Sequence, residues 1–325
     1  MESAASSSGI VEPSLDLVGL TARLGRAHLG ARLRRQVDYA SRFFGPGLRR
    51  YQLENMPLLR EVVEKSFRLS GQYERAYEEY LDVQVRTNEV ELEHLPEAFR
   101  GFRILHLSDL HLDLDAALLP RIQRAVAKSH YDLCVMTGDY RNATDGPYGL
   151  VVERMKTLLK EIHGPVYGVL GNHDFIEMVA PLEAAGLRLL INEAVALERG
   201  GKRLWLVGVD DPSTYMVDNL PRALDGVTPG SRTILLSHAP GIYERAQAYG
   251  VDFVLAGHTH GGQICLPGGV ALLYNDRCPR ALVRGAWKWK NLLGYTSPGT
   301  GACAAPLRYY CPPEITVHRL DTKTD

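Results

Sequence analysis

From residue 88 onward the chain alternates short apolar runs with stretches of helical spacing, and five of the runs end directly in a short motif of Asp, Asn or His. The runs predicted as strands are 103–107, 133–137, 166–170, 203–209, 233–236, 253–256, 292–297 and 315–320, and 116–129, 148–162, 177–186 and 241–249 are predicted as helices. Buried strands alternating with helices define an α/β fold. In such folds sites form beyond the carboxyl ends of the strands, which is where the five motifs fall. Its 325 residues, 45% apolar and 23% charged, suffice for one large domain with an extension.

The motifs are Ser108-Asp109-Leu110-His111, Gly138-Asp139, Gly171-Asn172-His173-Asp174, Ser237-His238 and Gly257-His258-Thr259-His260-Gly261-Gly262. Asp109 and His111 are two apart, which in extended backbone puts both on one face and within reach of one ion; His258 and His260 repeat the spacing. Asp139 follows a strand and a glycine, leaving its carboxylate free to bridge two ions. Asn172 adds a neutral carbonyl oxygen. Oxygen and imidazole donors without a thiolate suit Mn, Fe or Zn, with Mn first. Seven such ligands are enough for two divalent ions about 3.5–4 Å apart, the spacing that clamps the attacking and leaving oxygens of an in-line phosphoryl displacement.

In this order the motifs resemble the calcineurin-like metallophosphoesterase superfamily over residues 102–262. The resemblance implies a four-layer αββα sandwich, two sheets flanked by helices. It also implies one ion on Asp109, His111, Asp139 and His260 and a second on Asp139, Asn172, His238 and His258. His173 matches the family's non-ligand histidine, which stabilises phosphoryl charge or protonates the leaving group, and Asp174 the residue that orients it. The segments 105–111 and 257–264, with Pro306-Leu307-Arg308 and Pro313-Glu314-Ile315, resemble the bacterial YkuE/YaeI-type branch. That branch is similar to the chlamydial-type enzyme that hydrolyses UDP-2,3-diacylglucosamine, so such a nucleotide-lipid is the leading substrate. A phosphodiesterase or phosphatase acting on nucleotides or small phosphoesters is the alternative, and a non-catalytic scaffold a minor one, disfavoured because no ligand position is lost.

Ahead of the motifs, residues 1–13 read as a disordered tail and 14–87 as a helical, basic, amphipathic extension, with the catalytic domain over 88–325. Residues 14–50 hold eight Arg against two Asp. Leu29, Leu33, Val37, Ala40 and Phe44 form a stripe at helical spacing, followed by a Phe43-Phe44 pair. Two readings stand: a helix lying on an anionic membrane surface, or one packed on the catalytic domain. The net charge of −1 disfavours nucleic acid as a partner. Five cysteines without a CxxC pair favour a reducing compartment. With no signal peptide or spanning segment evident, a cytoplasmic location is expected, the inner membrane face being a peripheral option.

Outside the motifs, blander readings apply. His28, His94, His106, His130, His163 and His318 read as surface or satisfied core residues. Arg141 is balanced between touching a substrate phosphate and a structural ion pair. Asp210 and Asp211 read as loop caps before Pro212. Trp287-Lys288-Trp289-Lys290 is either a lipid-interface or lid element, or plain packing.

Overall fold

A computed structural model describes residues 15–40 and 57–322. The tail expected over 1–13 and the Phe43-Phe44 pair lie outside the described residues. Four helices come first: α1 (Leu17–Leu24), α2 (Arg26–Ala40), α3 (Pro57–Leu69) and α4 (Tyr73–Leu81). Strand β1 (Gln84–Leu92) follows, then β2 (Arg103–Leu107), α5 (Leu119–Ala127), β3 (Leu133–Met136), α6 (Gly149–Leu159), β4 (Val166–Gly168), α7 (Val179–Ala184) and β5 (Leu187–Leu189). The second half comprises β6 (Glu193–Arg199), β7 (Lys202–Gly208), α8 (Leu220–Ala223), β8 (Thr233–Leu236), α9 (Tyr243–Ala248), β9 (Phe253–Ala256), β10 (Cys265–Leu266), β11 (Val270–Ala271), β12 (Gly285–Trp289), β13 (Leu292–Thr296) and β14 (Glu314–Thr322).

Among the described residues the strands form two six-stranded sheets, ordered β1-β14-β2-β3-β4-β5 and β12-β13-β9-β8-β7-β6, and a small β10-β11 hairpin. In the first sheet β2, β3, β4 and β5 run parallel. In the second β7, β8, β9 and β13 do. Side chains alternate between the faces of each strand. Ile104, Val135, Ile234, Leu236, Phe253 and Leu255 meet between the sheets. Leu105, Leu107, Cys134 and Met136 face outward under α5, α6 and α7. On the far side Val207, Leu235 and Val254 pack under α8 and α9. These are the four layers of the αββα sandwich that the resemblance implies.

Several strands escaped the sequence reading: β1, β5, β6 and β12. The boundary expected at residue 88 falls inside β1, which is mostly exposed because it is an edge strand, paired with β14 alone. Its apolar residues are too few to show a period, and the register is supplied by β14. Trp287 of the Trp-Lys repeat is buried on β12, its Nε1 donating to Thr296 Oγ1 at 2.9 Å; packing is the observed state of that residue. His106 and His318 are buried between the sheets, as the bland reading expected, 3.3 Å apart, with His106 also 2.9 Å from Thr137 Oγ1.

The N-terminal helices pack on the outer face of the first sheet, where Leu20, Leu24, Leu29 and Tyr80 join the core. The stripe predicted for α2 is only partly the buried face. Leu29 is buried, Leu33 half-buried, and Val37 is 66% exposed. The face turned inward carries Leu29, Arg32, Gln36 and Tyr39, at steps of 3, 4 and 3. A buried arginine and glutamine in this face hid it from an apolar-period reading. Arg32 is wholly buried: Nη2 donates to the Asp174 carbonyl at 2.6 Å, Nη1 stands 3.7 Å from Asp210 Oδ1, and the guanidinium lies 3.7 Å from the centre of the Tyr215 ring. His28 Nε2 meets the other Asp210 oxygen at 2.9 Å. Asp210 is thus an ion-pair partner as well as a loop cap, its Oδ1 accepting the Asp211 N–H at 2.8 Å, and Asp211 accepts the N–H groups of Ser213, Thr214 and Tyr215. Arg23 bridges Glu183 and Glu193 at 2.9 and 2.7 Å, and Arg35 donates to the Tyr215 and Met216 carbonyls. Three of the arginines that made the segment basic therefore hold it to the domain. No helix among the described residues is long and apolar enough to cross a membrane.

Burial pushes the Asp210 carboxyl up, but Arg32 and His28 outweigh it and hold it below the usual range. A depressed carboxylate stabilises the fold above its unfolded pKa of about 3.9 and loses that contribution as pH falls through the folded value. Arg32→Ala leaves a buried charge with one partner fewer, so a loss of about 3–5 kcal/mol is expected. Urea denaturation at neutral pH measures it, and the deficit should shrink as acid protonates Asp210. A loss below about 1 kcal/mol, the level of a surface pair, would mean that α2 is not docked through this arginine.

Candidate metal centre

All five motifs lie on the loops that leave the parallel strands β2, β3, β4, β8 and β9 at their carboxyl ends, and the two sheets aim these loops at one another. Backbone hydrogen bonds lock the loops together: Asp109 N–H to the Gly138 carbonyl at 3.0 Å, His111 N–H to that of Asp139 at 3.1 Å, and Gly257 N–H to that of His238 at 2.8 Å. Close approach requires glycine at two positions. A Cβ on Gly138, at φ 91°, would stand 2.4 Å from the Gly171 nitrogen, and one on Gly257 1.8 Å from Ser108 Oγ.

The turn out of each strand is tight enough to force left-handed backbone on non-glycine residues. Asp109, His111, Asp139, His258 and His260 have φ between 44° and 69°. Asp and His tolerate this region better than most residues, yet each costs of order 1 kcal/mol or more, and such strain concentrates at functional sites. The extended geometry expected for Asp109-x-His111 is therefore absent. The two side chains converge because the backbone coils. His258 and His260, at the same spacing, point to different neighbours: His258 Nδ1 lies 3.1 Å from His238 Nε2, and His260 Nε2 lies 3.1 Å from His111 Nε2.

Two groups of donor atoms result, with Asp139 in both. In one, Asp109, His111 and Asp139 stand within 4.8 Å of each other, and His260 Nε2 is 3.5 Å from Asp109 Oδ1. In the other, Asp139, His238 and His258 lie within the same limit, with Asn172 Oδ1 2.9 Å from His238 Nε2. The protons can be placed. His111 Nδ1 lies 2.8 Å from the Arg141 carbonyl and His238 Nδ1 2.8 Å from that of Thr137. A carbonyl only accepts, so Nδ1 carries the hydrogen and each Nε2 presents a lone pair inward in the neutral ring. Around His238 Nε2 the neighbours are again acceptors: Asn172 Oδ1, and Asp139 Oδ2 at 3.3 Å. Buried acceptors facing acceptors repel, so a proton on Nε2 or a divalent cation must stand between them. Without an ion the proton takes that place at His238. Burial disfavours charge on His238, but Asp139 and Asp109 outweigh it and lift the imidazole to about 10, whereas burial lowers His111 to about 4 despite Asp139. The donor set fits divalent ions.

His173 stands beside both groups. Its backbone N–H donates to Asp139 Oδ1 at 2.9 Å, its Nδ1 lies 2.6 Å from the Asn142 carbonyl, and its Nε2 is 3.8 Å from Asp139 Oδ2. Asp174, expected to orient that ring, uses its carboxylate otherwise: it accepts the N–H groups of Asp139 at 2.7 Å, Tyr140 at 2.9 Å and Gly171 at 2.8 Å. It fixes the loops that carry Asp139 and Asn172, and the Asn142 carbonyl holds the imidazole. Arg141 is wholly buried, stacked 4.1 Å over Phe175, with Nη2 donating to the Asp145 and Gly146 carbonyls. These contacts hold the side chain in its loop, while Nε and Nη1 have no hydrogen-bond partner in the structure.

Sequence reasoning missed several contributors. Tyr39 of α2 brings its hydroxyl 3.3 Å from Asn172 Nδ2, and Tyr215 OH donates to the Asn172 carbonyl at 2.7 Å. Arg308, wholly buried, donates to the Gly301 and Pro298 carbonyls at 2.7 Å each and comes within 3.4 Å of His260 Nδ1. Only Arg308 left a trace in the sequence, in the Pro306-Leu307-Arg308 segment.

The family model described as calcineurin-like phosphoesterase matches residues 102–262, which include every motif. A metallophosphoesterase of Aquifex aeolicus is 30% identical over 272 residues, covering 78% of this chain and 97% of that protein. The Bacillus subtilis metallophosphoesterase YkoQ is 28% identical over 248 residues, 74% of this chain and 91% of its own. YkuE of the same organism is 28% identical over 260 residues, 75% and 88%. The chain belongs to the calcineurin-like phosphoesterase family and is a metal-dependent phosphoester hydrolase.

Asp174→Ala should strip three buried N–H groups of their acceptor, at about 1–3 kcal/mol each. Thermal denaturation should show a loss of several kcal/mol, with faster amide exchange at Asp139, Tyr140 and Gly171 under native conditions. Unchanged exchange at those three amides would refute the anchoring role.

Proposed function

We propose that Asp109, His111, Asp139 and His260 hold one divalent ion, that Asp139, Asn172, His238 and His258 hold a second, and that the pair hydrolyses a phosphodiester or pyrophosphate. The observation that carries this reading is the convergence of lone pairs on two adjoining points with Asp139 common to both. When bound, the ions supply Lewis acidity that polarises a phosphoryl oxygen and makes water a stronger acid. The chain's own groups do the rest. Asp139, buried and held well below the usual carboxylate range by His238 and His173 against the effect of burial, stays ionised. His173, fixed at Nδ1 by the Asn142 carbonyl, presents Nε2 toward the reacting phosphoryl group and, when protonated, gives that hydrogen to the leaving oxygen. The oxygen and imidazole donors of this set suit Mn, Fe or Zn.

Asp139→Ala should lose most bound metal and turnover together, as read by metal analysis of the purified chain and hydrolysis of a chromogenic phosphodiester. His173→Ala should keep both ions and lose roughly 10²–10⁴-fold in rate. Loss of metal in His173→Ala would make that histidine a ligand and overturn its assigned role.

For the substrate we infer an amphipathic phosphodiester, with UDP-2,3-diacylglucosamine the specific candidate, its pyrophosphate at the ions and its acyl chains toward the N-terminal helices. Support comes from the outward faces of α1, α2 and α3, where Leu17, Val18, Val37, Leu58, Val62 and Leu69 are exposed; an apolar face of this kind also suits a peripheral position on the cytoplasmic side of a membrane. Flotation of the full chain with anionic vesicles at low salt is the expected outcome, together with faster turnover of the acylated UDP-sugar than of water-soluble nucleotide diesters. The reverse preference would assign the site to soluble diesters while leaving the metal assignment in place.

A further inference from the structure

Cys303 belongs to none of the five motifs. It sits in the loop between β13 and β14, and one ligand atom each from His111, His260 and Cys303 fall within 4.8 Å of one another. Donors bound to one ion at about 2.0–2.3 Å stand at most about 4.6 Å apart, so the three atoms lie near the spread that one ion can bridge. His111 Nε2 and His260 Nε2, already 3.1 Å apart, are the imidazole donors of the first proposed ion.

The loop is built to hold the sulfur there. Gln263 spends its whole side-chain amide on Cys303: Nε2 donates to the Cys303 carbonyl at 2.9 Å and Oε1 accepts its N–H at 2.8 Å. Two bonds to one residue's backbone fix the direction of its Cα–Cβ bond. The next residue, Ala304, takes left-handed backbone at φ 63° and donates its N–H to Asn142 Oδ1 at 3.0 Å; the same Asn142 holds His173 through its carbonyl. Upstream, Thr300 and Gly301 donate to the Ser108 and Asp109 carbonyls at 2.7 and 2.8 Å, which staples the loop to the first motif. Cys134, Cys265, Cys278 and Cys311 are buried, whereas Cys303 is half-buried, as a residue at the mouth of a site must be.

We propose that Cys303 supplies a sulfur ligand to the ion held by Asp109, His111, Asp139 and His260. The sulfur–metal bond forms as the thiol proton passes to solvent. This rests on the two-ion reading and sharpens it. A sulfur donor favours zinc or iron over manganese, a choice that the oxygen and imidazole ligands alone leave open.

The test uses the full chain loaded with cobalt(II), a spectroscopic stand-in for zinc. Two cobalt ions per chain are expected, with a near-ultraviolet sulfur-to-cobalt charge-transfer band. That band should disappear in Cys303→Ser and persist in Cys278→Ser. A second measurement needs no variant: metal-free and cobalt-loaded wild-type chains are treated with iodoacetamide, and labelling is mapped by peptide mass. Suppressed labelling of Cys303 in the loaded chain supports the sulfur ligand. Two bound ions with no such band, and equal labelling of Cys303 with and without metal, would overturn it and spare the two-ion reading. Failure to bind two ions at all would overturn both.

Discussion

Everything in this protein is arranged around a charge problem. Two carboxylates, a carboxamide oxygen and imidazole nitrogens are buried at one point where the sheets meet, and the donors that reach the carboxylates include the His173 and His258 N–H groups and the Ser108 hydroxyl. In low dielectric such a cluster is costly unless cations fill it. The surrounding structure makes the arrangement unavoidable. Outer nitrogens of His111 and His238 are tied to carbonyls, so the inner ones face the cluster, and Asp109 accepts the His258 N–H while keeping its carboxylate within reach of His260. The site is therefore pre-organised: its ligands are aimed by second partners before any ion arrives.

Pre-organisation has a mechanical cost, visible in the backbone. Five of the proposed ligands occupy left-handed conformations, and the sandwich core beneath them supplies the rigidity that sustains this. The parallel strands β2, β3 and β4 are each flanked on both sides within their sheet. Their loops start from fixed points, and the Asp174 carboxylate ties the second loop to the third. A solvent-exposed turn of the same sequence would relax to ordinary dihedrals and scatter the ligands.

The N-terminal helices extend that support beyond the family core. Through Arg32, Gln36 and Tyr39, α2 reaches Asp174, Ile176 and Asn172 in turn, so the segment first legible as a basic arm also buttresses the third motif. From the other side, α4 meets the C-terminal loop, with the Arg308 N–H on the Ala76 carbonyl at 3.0 Å and the Cys311 N–H on Glu79 at 2.6 Å. That loop carries Cys303 and Arg308 against the first motif. Helices outside the matched region thus brace both halves of the centre, and the sulfur donor lies on the part they brace.

Sequence alone determined the chemistry and the class of fold. Asp109, His111, Asp139, Asn172, His238, His258 and His260 stand out as the proposed ligands because residue type and the order of strand and motif are local properties of the chain. The buried central strands declare themselves by unbroken apolar runs, as in β8 and β9. What only the tertiary structure decided is whatever depends on partners distant in sequence. Edge strand β1 takes its register from β14, some 230 residues away. The inward face of α2 is polar because Asp210 and the Asp174 carbonyl wait for Arg32. His258 and His260 take their directions from left-handed backbone, not from an extended segment. Asp174 turns from an expected ring partner into a backbone anchor, and Cys303 reaches the centre through Gln263. The physical reason is common to all of these: a residue's type is written locally, while the electrostatic and steric field that assigns its role is assembled only when remote segments pack together.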